Sequence, residues 1–179
     1  SLLNRVDVVT FDRPGFGNSG FGIAEPLLLH QGEILDDLMD SLGYHNYILA
    51  GHSYGAPVLL EAAIRRPGQV SGLCFIAGSI SPELEPKSTG WRKWIDLPLL
   101  RDLLPVSMRV SNEELMSLRQ DLTLLEDDWD RLTMPASVIH GTKDVLVPFE
   151  NLAYATEKLT EADTVFTRVF EGESHFILW

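Results

Sequence analysis

Apolar residues along the chain follow two alternating rhythms, short β-branched or aromatic runs and longer stretches with helical spacing. Val6, Val8, Val9 and Phe11 form the first run, which ends at Asp12 before a glycine-rich loop over 14–22, predicting a strand and then a turn. Pro26 opens a helix whose apolar positions Ile34, Leu35, Leu38, Met39 and Leu42 alternate with Asp36, Asp37 and Asp40, and Gly43 is placed as its stop. Residues 47–50 predict a strand, 58–64 a helix ended by Pro67-Gly68, and 72–77 a further strand. Arg65 and Arg66 suit the negative end of that helix.

From Ser79 to Pro135 the rhythm breaks, with prolines and helical patterns but no strand pattern, as an insertion would read. Within it, Ser111 and Glu114 are spaced as a capping box, ahead of Leu115, Leu118, Leu122 and Leu125 at helical intervals. The alternation resumes with a strand over 136–139, a helix over 149–159 begun by Pro148, and a strand over 165–170. Continuous apolar strands alternating with helices predict an α/β fold, a mostly parallel sheet with helices on both faces. Its core would be residues 1–78 and 136–179, and the insertion 79–135.

A chain of 179 residues can bury one sizeable core. Its 14 Lys+Arg against 26 Asp+Glu leave a net charge of −12, spread along the sequence, which argues against a nucleic-acid surface. Cys74 has no second cysteine to pair with and lies in an apolar run, so it reads as a small hydrophobe. With no apolar stretch of membrane-spanning length and no basic-then-apolar leader, a soluble, cytoplasmic protein without a membrane span is the expectation.

The chemistry concentrates in three places. Gly51-His52-Ser53-Tyr54-Gly55 fits G-x-S-x-G between a predicted strand and a predicted helix, the setting of a nucleophile elbow. Glycines at 51 and 55 would let neighbouring backbone approach, Ser53 would stand above the sheet edge, and the Tyr54 N–H would serve a developing oxyanion. The plain alternative is a serine in an ordinary turn. A serine hydroxyl needs a base to take its proton and an acid to fix the tautomer of that base. Asp144 and His175 each follow a predicted strand, in His140-Gly141-Thr142-Lys143-Asp144 and Gly172-Glu173-Ser174-His175-Phe176.

Competing histidines fit less well: His30 near a helix start, His45 in a turn, His140 at a strand end, and His52 projecting away from Ser53. Glu173 is the nearest rival acid, but two residues from His175 it is badly placed to hold that ring. Gly15-Phe16-Gly17-Asn18-Ser19-Gly20 matches G-x-G-x-x-G literally, yet no helix opens at its third glycine and Asp40 falls inside a helix. No cofactor and no metal are expected.

These motifs, with Asp12-Arg13-Pro14-Gly15-Phe16-Gly17-Asn18-Ser19 and Val147-Pro148, make the chain resemble the α/β-hydrolase superfamily, in its group with a helical cap. The resemblance implies a serine esterase with Ser53 as nucleophile, His175 as base and Asp144 as acid, in the family's chain order, acting on a small, apolar acyl substrate. It makes 79–135 the cap. There Trp91, Trp94, the leucines at 97, 99, 100, 103 and 104, and Met108 would line an acyl pocket or seat the cap on the core. Amide, thioester, lactone and carbon–carbon hydrolysis stay open, as does a non-catalytic binding protein on the same fold. The family's first three strands, first helix and second oxyanion donor would precede Ser1, and its final helix would begin near Trp179. Its third strand lies between the fourth and fifth, so the expectation is a fragment with a gap in the sheet, or a segment from elsewhere that fills it.

Overall fold

The structure, a computed structural model, describes residues 6–87 and 104–178. Strands β1 (Tyr47–His52), β2 (Val70–Ile76), β3 (Ala136–Gly141) and β4 (Val165–Phe170) form one sheet whose spatial order equals chain order. Every neighbouring pair is parallel, as the alternating rhythm predicts. Helices α1 (Leu28–Leu42), α2 (Gly55–Arg65), α3 (Val106–Leu124) and α4 (Asn151–Lys158) complete the α/β core. Parallel strands place all their C-terminal ends at one edge, so the loops after β1, β3 and β4 meet there.

Register explains where the core lies. Leu49, Leu73 and Ala136 stand side by side, as do Gly51, Phe75 and Val138, and these residues are buried. They pack with α2, with Ala155 of α4, and with Trp129, Leu132 and Met134 of the segment that returns to β3. Trp129 lies tilted on Phe75 and edge-on to Tyr154. On the other face Ile48 is 71% and Phe166 64% exposed, so among the described residues helical cover is concentrated on one side of the sheet. Cys74 lies half-buried on this second face, where burial pushes its thiol up, in keeping with an inert side chain.

The first predicted strand does not form. Residues 6–11 join no ladder, and Val6, Val8, Val9 and Phe11 are exposed. A groove of about 670 Å³ separates this segment from the edge of β1, floored by Leu35, Leu38 and Met39 of α1 and by Val58 and Leu59 of α2. This is where the family resemblance sets a further strand. β-Branched residues favour a pleated surface only when a neighbouring ladder takes up their backbone groups.

Helix α1 stops where expected, with Gly43 at φ 72° donating its N–H to Asp40 and Met39 carbonyls. Its buried stripe differs from the predicted one: Ile34 and Leu42 are exposed, whereas Gln31, Gly32 and Asp36 are buried. Gly32 abuts Glu61 of α2, where a Cβ would come within 2.7 Å of its side chain. Asp36 is held by Arg65 at 3.1 Å and Arg66 at 3.2 Å, so these arginines serve an ion-pair seam between helices.

The predicted capping box is also overturned. Helix α3 begins five residues ahead of Ser111, behind Pro105, and the Glu114 carboxylate serves another purpose. It is buried and receives Arg13 through Nε at 3.2 Å and NH2 at 2.8 Å, and Gln31 Nε2 at 3.0 Å. Leu118, Leu122 and Leu125 do face the core. Trp91, Trp94 and leucines 97, 99, 100 and 103 lie outside the described residues; Leu104 is half-buried and Met108 exposed.

Removing one member of a buried, doubly hydrogen-bonded ion pair strands the other, at about 3 to 5 kcal/mol. Arg13→Met should therefore lower unfolding free energy in urea by about 3 kcal/mol, and Arg13→Met with Glu114→Met should recover much of it. Additive losses in the double variant would contradict the pairing.

Candidate active site

Ser53 sits between β1 and α2 with φ 55°, a left-handed conformation that a side chain normally avoids. Hydrogen bonds hold it there: its N–H donates to the Ile76 carbonyl at 3.0 Å, and its carbonyl accepts from Ala56 at 3.1 Å and Ser79 at 3.4 Å. Gly51 is indispensable, because a Cβ would collide with the Gly55 carbonyl and Leu59. The same expectation fails for Gly55, where a Cβ would meet nothing within 4 Å. Tyr54 is the N-cap of α2, and its N–H has no acceptor among the described residues. A free N–H at a helix start suits an anionic oxygen.

Asp144 and His175 come together although 31 residues separate them, with His175 Nδ1 2.7 Å from Asp144 Oδ2. An ionised carboxylate only accepts, so Nδ1 carries the proton and Nε2 is left as a base. The other carboxylate oxygen accepts from the N–H groups of Leu146 and Val147, both at 2.9 Å. Burial pushes this carboxyl up, but the Val147 N–H, the His175 imidazole and the Leu146 N–H outweigh it and hold it below its ordinary value. Gly141 makes the approach possible, since a Cβ there would press on the carbonyls of Glu173 and Ser174.

His140 lies beneath this pair, 1% exposed, with Nε2 3.2 Å from the Val147 carbonyl and 3.3 Å from Asp144 Oδ2. Burial lowers its basicity and outweighs the Val147 carbonyl and the Asp144 charge, so it supports the loop as a neutral ring. Glu173 is exposed and uses its backbone, accepting from Lys143 at 2.9 Å. His30 pairs with Glu25 at 3.2 Å and His45 is exposed, each away from these loops.

His52 is the residue that sequence reasoning set aside too early. Its Nε2 lies 2.9 Å from the His175 carbonyl, and the two rings are 4.6 Å apart. Period-two alternation describes a side chain's direction within a strand, and His52 is the strand's last residue. The Ser53 hydroxyl makes no hydrogen bond to His175 among the described residues; such contacts commonly tighten only when substrate binds.

The glycine-rich loop closes on its own carboxylate. Asn18 donates its N–H to Asp12 Oδ2 at 3.1 Å, and a Cβ at Gly17 would collide with that group. Among the described residues no three metal-ligating side chains cluster, and no helix is long and apolar enough to cross a membrane.

A parallel sheet with an elbow serine and a buried carboxylate–imidazole pair at its C-terminal edge defines a hydrolase-type α/β protein. The alpha/beta hydrolase family model matches residues 1–179, and the chain belongs to that family. A strigolactone esterase of Arabidopsis thaliana is 28% identical over 171 residues, covering 77% of this chain; the chain spans 64% of that protein's length. Among solved structures, a monoacylglycerol lipase of Paleococcus ferrophilus superposes with a TM-score of 0.71 at 20% identity, over 94% of this chain and 74% of its own. An esterase of Exiguobacterium antarcticum gives 0.65 at 18%, over 93% and 74%. These likenesses establish the fold.

The depressed basicity of His140 fixes the sign of a pH effect. Below its ordinary value of 6.5 the unfolded chain takes up a proton that the folded chain refuses, so the contribution is full above 6.5 and is lost as pH falls. Urea midpoints at about pH 7.5 and about pH 5.5 should drop more for wild type than for His140→Gln. Equal drops would contradict the assignment.

Proposed function

We propose that the protein is a serine esterase that hydrolyses a small apolar acyl ester through an acyl-enzyme on Ser53. The observation that carries this reading is the 2.7 Å contact between His175 Nδ1 and Asp144, at the sheet edge where Ser53 stands strained. In the proposed sequence Ser53 Oγ attacks the ester carbonyl as its proton passes to His175 Nε2. Asp144 steadies the imidazolium, and the Tyr54 N–H binds the oxyanion. Collapse expels the alcohol, which takes the proton from His175. Water then attacks the acyl-enzyme by the same route, giving the acid and free Ser53.

The names of the relatives, an esterase and a lipase among them, agree with ester chemistry. Carbon–carbon hydrolysis, which the sequence reading left open, is the second reading. In either case the insertion 79–135 is the proposed lid, its helix α3 tied beside the site by the Arg13–Glu114 pair.

Hydrolysis of p-nitrophenyl butyrate tests the reading. Ser53→Ala should leave only background turnover, and Asp144→Asn should lose about 10⁴-fold in kcat by presenting the wrong imidazole tautomer. Turnover retained by Ser53→Ala would remove the acyl-enzyme from the account.

A further inference from the structure

Strands β1 and β4 lie at opposite edges of the four-stranded sheet, with β2 and β3 between them. Ser53 follows the first and His175 the last, so the loop after β4 must reach back across the sheet edge to serve the elbow. Most of its polar ties end at β3. Thr142 donates its N–H to the Phe170 carbonyl at 3.1 Å, Lys143 to the Glu173 carbonyl at 2.9 Å, and Gly172 to Thr142 Oγ1 at 2.9 Å. Asp144, which holds the imidazole, also belongs to the β3 loop. These bonds fix His175 relative to β3 and say nothing of its distance from Ser53.

A contact that crosses to β1 comes from His52. Its Nε2 lies 2.9 Å from the His175 carbonyl, and since a carbonyl only accepts, Nε2–H is the donor. The His52 ring also lies against the His175 ring at 4.6 Å and 45°. Phe176 meets the His175 ring edge-on at 5.4 Å. Because His52 and Ser53 are adjacent in the chain, this bond ties the neighbour of the nucleophile to the backbone that carries the base.

We infer that His52 is a positioning residue for hydrolysis: its hydrogen bond to the His175 main chain sets the imidazole over the Ser53 hydroxyl. The inference rests on the reading of Ser53 and His175 as nucleophile and base. His52 touches no reacting atom and acts through His175. Its hydrogen bond asks only for an Nε2–H donor at the right reach. Glutamine places an amide nitrogen the same number of bonds from Cα, and leucine fills similar space without a donor.

The test compares kcat and KM for p-nitrophenyl butyrate in wild type, His52→Leu and His52→Gln, with rates normalised to the folded fraction from circular dichroism so that unfolded protein does not count. His52→Leu should lower kcat roughly 10- to 100-fold, the loss typical of a small misplacement of catalytic groups, with KM little changed. His52→Gln should restore most of the rate. In a His175→Ala background His52→Leu should cost nothing further, a non-additivity that a purely structural role would not produce. If His52→Leu fails to fold, His52→Asn, whose amide stops short of the carbonyl, should be slow where His52→Gln is fast.

Leu and Gln variants that are equally slow, variants that are both as fast as wild type, or a rise in KM at constant kcat would each overturn the inference while leaving the serine mechanism intact. Wild-type turnover that survives Ser53→Ala would instead remove the mechanism, and the inference with it.

Discussion

One carboxylate with no solvent contact holds the candidate site together. Asp144 Oδ1 accepts two backbone N–H groups, and Oδ2 receives His175 at 2.7 Å with His140 at 3.3 Å behind it. A carboxylate withdrawn from water is costly unless its lone pairs are met, and here Oδ1 accepts two backbone N–H groups and Oδ2 the His175 imidazole. Those donors come from the loop after β3 and the loop after β4, so meeting the electrostatic demand of one group folds two loops into one shape. The imidazole is thereby delivered in the tautomer whose free nitrogen can act as a base.

Around that hub the sheet works as a ruler. Parallel pairing brings the ends of β1, β3 and β4 to one edge, and the strained Ser53 points from the first of them. The strain is affordable because the Ile76, Ala56 and Ser79 backbones grip the residue from three sides. A second, partly buried charge cluster, Arg13 with Glu114 and Gln31, fastens α3 beside the elbow. The Arg13 guanidinium stacks over the Tyr54 ring at 4.9 Å. The helix of the insertion and the residue whose N–H starts α2 thus share one contact.

Much of this was legible in the sequence because it rests on local rules. Short continuous apolar runs marked β1 to β4, Gly43 marked the end of α1, and Gly51 near Ser53 marked the elbow. What misled was whatever depended on partners distant in the chain. Residues 6–11 have strand composition but no adjacent ladder, and Glu114 resembled half of a capping box until Arg13, 101 residues away, claimed it. Asp36 looked like a solvated residue and is buried because two arginines of the neighbouring helix neutralise it. His52 was dismissed by strand alternation, although the loop that meets it comes from the far edge of the sheet.

The central claim is that a base held by Asp144 activates Ser53. Labelling of the intact protein with a fluorophosphonate, followed by peptide mapping, tests it directly in wild type and His175→Ala. The account predicts an adduct on Ser53 in wild type and its near-complete loss without His175. An adduct elsewhere, or labelling of Ser53 that is indifferent to His175, would contradict it.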